Sequence, residues 1–591
     1  MLALDYFIFA LMLLISAAIG IYFRFTGGKQ KTNNEFLLAD RNMPILPVAF
    51  SLMASFMSAS SVIGLPADTY LFGLNMPYMN IGGIIGVILS SYLLLPVFFD
   101  MQLTTVYEYL EVRFGKMTRQ MMSIAFIVQM ILYMSVALYA PALALSAVTD
   151  LPIWASVVST GVVCTFYCMM GGMKAVLWTD VFQALMMFLC VFAVLIKGLL
   201  DLGAKKIYQI NLDGGRLNVP GFDFDPEIRY TMWNLQLQAL FMSITLFGGN
   251  QVQVQRMLTL KSLTHARWSI IACIFIACPF HILNCSLGLV LYAYYYMCDP
   301  LSAQGSKIDS ADQMIPYHIM STLSQYPGLT GACVSGIFSA TLSTLSSAVN
   351  SLTAVTMEDF IRPFFLSTGI SEDKVTYSSK GITLFYGFLT LALTFLVATF
   401  GNLVQAAITI FGMVGGPALA VFLLGMLTKR SNEKGVIIGF ILSFALALWA
   451  SFGASTYGPP PETLSLSTEG CPLNSSSDSL TTPLSLPESL TTPSLTTIQN
   501  NISNSTVDEE SEEYIFPLYR ISYMWFAQIG FFSAIIIGYF ASVLINLMTG
   551  EQCNVPNELM SPMYLRVFGA SETSKKTKKM KGSLELYETR S

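Results

Sequence analysis

The sequence predicts an all-α protein that crosses a lipid bilayer many times. Three observations carry that prediction. First, the 591 residues are 54% hydrophobic and only 11% charged, against roughly 25% charged in a soluble domain. So few charges cannot cover a water-facing surface of this size. Second, apolar runs of about 20 residues, long enough to cross roughly 30 Å of hydrocarbon, recur from end to end. Third, basic residues gather in alternate loops between those runs. The 36 acidic and 31 basic residues nearly balance, and no basic tract has the form of a nucleic-acid surface, so no nucleic-acid partner is expected.

About thirteen spans can be drawn in order. They lie near 4–23, 45–64, 78–101, 120–147, 152–172, 176–200, 232–250, 268–296, 328–352, 381–400, 404–427, 434–455 and 519–547. The first lacks a basic start and a small-residue cleavage site and reads as a retained span, not a signal peptide. Arg24, Lys29, Lys31 and Arg41 follow it; Arg113, Lys116 and Arg119 follow the third; Arg256, Lys261 and Arg267 the seventh; Lys429, Arg430 and Lys434 the eleventh. The positive-inside rule makes these loops cytoplasmic, with the N-terminus outside and the C-terminus inside. Residues 456–516 are rich in Ser, Thr and Pro and hold sequons at Asn474, Asn501 and Asn504, on the side already expected to be extracellular. Cys298 and Cys471 fall on that side too, as candidates for a bridge. Lys575, Lys576, Lys578, Lys579 and Lys581 form a cytoplasmic basic tail able to meet anionic lipid.

Three spans are unusual. The second reads "SLMASFMSASSVIGLPADTY" (51–70), apolar but interrupted by serines, Gly64 and Pro66. The seventh ends "TLFGGNQVQVQR" (245–256), again with glycines and an amide. A helix loosened at membrane depth frees carbonyls and is tolerated only beside a polar cavity. The ninth contains "FSATLSTLSSAVNSLTAVTMEDF" (338–360), in which Ala340, Ser343, Thr344, Ser347 and Ser351 share one face. A stripe of small and hydroxyl residues serves close helix packing or supplies oxygens to a cation. Interrupted helices at matching places in two halves point to a transporter's midplane site. The ten cysteines and three histidines show no metal-ligand spacing, and no nucleophile–base set appears, so an enzyme is not expected.

The chain resembles the sodium/solute symporters of the solute carrier 5 family. The segments that carry the resemblance are "FLLADRNM" (36–43), "TVYEYLEVRFG" (105–115), "GGMKAVLWTDVFQ" (171–183), "GNQVQVQR" (249–256) and "GPALAVFLLGM" (416–426). It covers about 4–455 and, less specifically, the last span. "ASFMSA" with "GLPADTYLFG", and "LSTLSSAVNSLTAVTMEDFI", are similar to the anion-carrying branch of iodide, monocarboxylate and multivitamin carriers. The resemblance implies a leucine-transporter-type 5+5 inverted repeat. The chain then divides into an extra helix and loop (1–44), two five-helix repeats (45–231 and 232–433), a further helix (434–455), a glycosylated extracellular loop (456–518), a last helix (519–547) and a cytoplasmic tail (548–591).

The family's sodium ligands fall on the carbonyls of Ala54, Met57 and Ala340 and the hydroxyls of Ser343 and Thr344. Glu358 and Asp359 then mark the cytoplasmic end of that helix. Asp180 matches an acid on the inward sodium exit path, or else is an interfacial charge with Lys174 as its local partner. Sodium is the only cofactor implied, as coupling ion. The sugar carriers' contact positions fall on Ser61, Asn80, Phe247, Ala277 and Thr409, where only the aromatic character of Phe247 survives; sugar is disfavoured, and Ser61 disfavours iodide. The expected pocket comprises Ser60, Ser61, Asn80, Phe247, Asn250 and Thr409, with Gly412, Gly415 and Gly416 near it. A second sodium site is expected near Ser60 and Ser347. With no Lys or Arg in the broken spans, a small organic anion would be held by sodium, helix N–H groups and hydroxyls. A monocarboxylate fits best, a vitamin carboxylate such as pantothenate or biotin second, with iodide and a sodium-gated sensor or channel as the remaining readings. The expected location is the plasma membrane. The terminal "ETRS" lacks the hydrophobic last residue of a PDZ ligand, so no PDZ partner is expected.

Overall fold

A computed structural model describes residues 2–26, 32–146, 152–303, 308, 310–368, 372–395, 403–471, 515–550 and 555–568, and these are almost wholly helical. The sequons at Asn474, Asn501 and Asn504 and the lysine tail lie outside the described residues. The principal helices are α1 (Ala3–Phe25), α2 (Ile45–Phe56), α3 (Ala59–Phe72), α4 (Met79–Leu93), α5 (Lys116–Ser146), α6 (Ile153–Leu202), α7 (Met232–Gly248), α8 (Gln251–Met257), α9 (Leu263–Tyr295), α10 (Leu329–Thr356), α11 (Glu372–Thr394), α12 (Leu403–Leu427), α13 (Glu433–Tyr457) and α14 (Phe526–Thr549).

Among the described residues nine helices are long and apolar enough to cross a bilayer, or ten if α2 and α3 form one bent span. That is fewer than the thirteen expected, for three reasons. The stretches 152–172 and 176–200 are counted as one because α6 joins two helices across a kink at Gly172 (φ 55°, ψ −152°), a positive-φ conformation that suits glycine. Helix α7 has 17 residues and carries Asn234, Gln236 and Gln238. Helix α11 opens on Glu372, Asp373 and Lys374 and carries Lys380. At 17 residues α7 falls just short of a full 18-residue apolar window, and the polar opening of α11 lowers its hydropathy, so neither is among the nine, while both are helices at the expected places.

Helix α10 lies at the centre: its apolar window is 100% buried, whereas that of α1 is 17% buried. Its small residues let neighbours approach, as membrane helices require where lipid offers no hydrophobic drive. Glu358 and Asp359 do not end it. The helix passes through a π-turn at Met357–Ile361 into Arg362–Thr368, and both carboxylates are buried and engaged. Asp359 accepts from Thr105 Oγ1 (2.9 Å), Arg119 Nη2 (2.5 Å) and Ser123. Glu358 accepts from Asn33 Nδ2 (2.8 Å) and pairs with Arg362 (2.6 Å).

The α2–α3 pair turns through 57°. Met57 (φ −86°, ψ 81°) and Ser58 (φ −74°, ψ 173°) leave the helical region, while Gly64 and Pro66, the strongest breakers in the stretch, sit inside α3. The far end of α3 is strapped by residues 458–471. Leu464 donates its N–H to Leu71 O (2.9 Å), and Arg216, stacked 3.7 Å over Tyr292, donates to Ser465 O (2.9 Å). The strap closes at a disulfide between Cys298 and Cys471, the pairing for which the sequence offered these two cysteines as candidates.

Candidate functional site

The break in α2–α3 does the first part of the work. In a continuous helix the Ser58 N–H would close on Ala54 O and the Ser61 N–H on Met57 O. Here Ser58 donates to Phe56 O (3.2 Å) and Ser61 to Ser58 O (3.0 Å). The carbonyls of Ala54 and Met57 are thereby released while both residues stay buried. Across from them, Thr344 donates its hydroxyl to Ala340 O (3.0 Å), which leaves its lone pairs free. Ser343 Oγ is buried, faces the Asp180 carboxylate and makes no hydrogen bond of ordinary length. A released carbonyl pair, an oriented hydroxyl and an unsatisfied hydroxyl are hard oxygens of the kind a dehydrated monovalent cation requires.

The break opens on a cavity of about 170 Å³. Met57 and Thr344 line it, so it adjoins the cation ligands implied by the resemblance. Ser60, Ser61, Asn80, Phe247 and Asn250 line it as well. Thr409 does not; its neighbours Ile408 and Phe411 form that wall. Gly412 and Gly416 face a separate small cleft against α14, and a Cβ on Gly416 would come within 2.2 Å of Ala527 O. That glycine serves helix packing. Several polar groups are already committed: Ser60 pairs with Ser58 (2.7 Å), and Asn250 caps α8 by accepting from Val252 N (2.9 Å). The remaining wall is largely apolar, with Met76, Met79, Met130 and Met242 among its residues, and no Asp, Glu, Lys or Arg among the described residues lines it.

Beneath the cavity floor lies a buried ion pair that sequence reasoning missed. Arg256, 1% exposed, stands 3.5 Å from Asp180, 0% exposed. Its Nε donates to Ser51 Oγ (2.7 Å), its Nη1 to Val252 O (2.7 Å), and its Nη2 to Ser55 Oγ (2.5 Å) and to Ser347 Oγ. Ser51 in turn donates to Asp180 Oδ2 (2.5 Å). The node therefore joins α2, α6, α8 and α10. The sequence places Arg256 among the loop charges; the seven-residue α8, capped by Asn250, instead carries it inward. Lys174 is not the partner of Asp180. It pairs with Glu35 (3.1 Å) and Asp40 (3.0 Å). One signal could have found Arg256: a carboxylate inside a span demands a partner, and the broken segment at 249–256 held a cation. Ser347, bonded to Arg256 and to Ser343 O (2.5 Å), makes no hydrogen bond to Ser60. A second cation beside Ser347 would meet a guanidinium. Further wall residues go unread in the sequence, among them the polar Ser243, Gln253 and His281.

A model of the sodium:solute symporter family matches residues 36–443. The chain is 42% identical over 552 residues to sodium-coupled monocarboxylate transporter 1 of Mus musculus, covering 92% of this chain and 87% of the relative. It is 39% identical over 554 residues to the sodium-dependent multivitamin transporter of Oryctolagus cuniculus, covering 93% and 84%. A solved Na+-coupled sialic acid symporter in a substrate-bound outward-open state shares the fold, with a TM-score of 0.72 at 21% identity over 92% of this chain and 98% of the other.

Removing one partner of a buried pair leaves an uncompensated charge and costs about 3–5 kcal/mol, whereas replacing both by apolar residues is often close to neutral. Asp180→Asn and Arg256→Met are each expected to lower the melting point of the purified protein strongly. The double variant Asp180→Leu/Arg256→Met should recover most of the loss. If its loss equals the sum of the single losses, the two groups are not coupled.

Proposed function

This chain belongs to the sodium:solute symporter family, and from that premise we propose that it imports a small monocarboxylate by alternating access, with sodium as its coupling ion. One observation carries the solute reading: a cavity with hydroxyl and amide groups, apolar walls and no charged side chain among the described residues opens at the released carbonyls of Ala54 and Met57. A carboxylate there would find donors at the Ser61 hydroxyl and the Asn250 amide N–H, a wall for a short hydrocarbon tail at Phe247, and its counter-charge in bound sodium, with Ser60 and Asn80 shaping the wall through their bonds to Ser58 and Pro77. Ala54, Met57, Ala340, Ser343 and Thr344 hold that sodium on this reading, and Asp180 stands on its inward path. A vitamin carboxylate is the second reading, favoured by the relative named a multivitamin transporter.

Energetics favour coupling to more than one ion. A charge crossing 100 mV yields about 2.3 kcal/mol, and a tenfold sodium gradient about 1.4 kcal/mol. A monovalent anion moving inward returns the electrical part of one ion, so strong accumulation requires a second. The two blocks 45–231 and 232–433 are read as inverted five-helix repeats within about thirteen spans. The N-terminus is read as extracellular, the C-terminus as cytoplasmic and the plasma membrane as the location.

Cells expressing the chain are expected to take up labelled lactate in sodium and not in choline, with pantothenate and iodide as comparison solutes. Ser343→Ala and Thr344→Ala should each raise the half-saturating sodium concentration by about tenfold, the worth of one oxygen facing a charge, at matched surface amounts. Parental sodium dependence in both variants would make the hydroxyl stripe a packing feature, and iodide or pantothenate uptake without lactate would replace the solute.

Orientation is tested separately. Glycosidase treatment should shift the protein on a gel, and the shift should vanish when Asn474, Asn501 and Asn504 all become Gln. Antibody access to 456–516 only after permeabilisation would invert the topology.

A further inference from the structure

We propose that His281 is a specificity-determining residue of the cavity: it presents one hydrogen-bond acceptor, and so favours carboxylates bearing a second, donor-carrying group (a hydroxyl, or an amide or ureido N–H) over carboxylates with a bare hydrocarbon tail. This inference rests on the carboxylate reading above and narrows it.

Asn80 fixes the tautomer of the ring. Its Nδ2 donates to Pro77 O (3.0 Å). A carbonyl only accepts, so the amide nitrogen must face Pro77 and the amide oxygen must face the other way. That oxygen lies 3.1 Å from His281 Nδ1. Nδ1 must then carry a hydrogen. No Asp or Glu among the described residues lines the cavity to balance an imidazolium, and an unpaired buried charge is costly. The ring is neutral with its one hydrogen on Nδ1, which makes Nε2 the acceptor.

Nε2 has no partner among the described residues, while the side chain stands on the cavity wall with 9% of its surface open. The position is held firmly. One turn along α9, Asn284 Nδ2 donates to Ser61 O (2.9 Å), so the helix that carries His281 is fastened to the broken one. The cavity-lining residues of α9 nearest it in sequence are Ile274, Ala277 and Cys278; the first two carry no donor, and the Cys278 thiol, a weak one, makes no hydrogen bond to the ring. A solute without a donor leaves that acceptor unpaired, and a solute with one satisfies it.

Lactate and propionate have the same carbon number and differ by one hydroxyl. The parent is expected to take up lactate more efficiently by about three- to tenfold, the worth of one neutral hydrogen bond. In His281→Leu the ratio should fall to about one. In His281→Gln, whose amide restores an acceptor near the position of Nε2, part of the preference should return. An unchanged ratio in His281→Leu overturns the proposal, as does an equal ratio in the parent. A second measurement needs no variant. Diethyl pyrocarbonate acylates an imidazole nitrogen that holds a free lone pair, and peptide mass analysis of the purified full-length chain in sodium should find His281 modified and excess lactate protecting it. An unmodified His281 beside a modified, exposed His265 overturns the free acceptor. Uptake of neither acid by the parent counts against the carboxylate reading; the labelling result then decides on His281 by itself.

Discussion

The guanidinium of Arg256 and the carboxylate of Asp180 meet in the interior with 1% and 0% of their side chains exposed, and the geometry of the site follows from how that pair is satisfied. A lone carboxylate inside a span costs roughly 2.5–3.5 kcal/mol, so Asp180 needs a cation. Arg256 supplies it, and its remaining donors need acceptors. Ser51 and Ser55 of α2 and Ser347 of α10 provide them. Ser55 and Ser347 also bond to each other at 2.9 Å. Thus the hydroxyls of Ser55 on α2 and Ser347 on α10 are fastened together, and Ser55 stands next in sequence to Ala54, whose carbonyl is released. The break at Met57–Ser58 is held between this node and the strap at the far end of α3.

The node also decides what kind of charge the cavity lacks. Arg256 lies beneath the floor, but it is committed to Asp180 and to three hydroxyls. An anion entering above it finds donors and apolar walls and no free positive side chain among the described residues. On the proposed reading its charge is balanced by sodium at the neighbouring oxygens. Each ligand then raises the affinity for the other by the same factor. Coupling would follow from the electrostatics of a neutral pocket beside a cation site, without a dedicated basic residue.

Much of this was legible in the sequence. Low charge and repeated apolar runs gave the class, and the hydroxyl face of 340–351 and the serine-rich interruption after Ser51 pointed to the elements that meet. The rest was hidden for physical reasons. Helix breakers misled: Gly64 and Pro66 lie within α3, while the chain departs from helix at Met57 and Ser58. Charges near span ends misled too, because sequence distance to a span does not reveal burial. Arg256 turns inward on a short capped helix, Asp359 is buried against Arg119, and Lys174 looks away from Asp180 toward Glu35. Thr409 was placed by analogy with a different solute's contacts, and one residue of helical phase separates it from the cavity-facing Ile408. His281 sits in an apolar run where no pattern distinguishes a packing ring from one held by an amide.

The most direct test of the central claim is a density map of the protein prepared in sodium and, separately, in choline. The account predicts density in sodium enclosed by the carbonyls of Ala54, Met57 and Ala340 and the hydroxyls of Ser343 and Thr344, lost in choline, with Arg256 on Asp180 just below it. An unbroken helix through Met57 and Ser58, or a sodium map without density among those five oxygens, would contradict it.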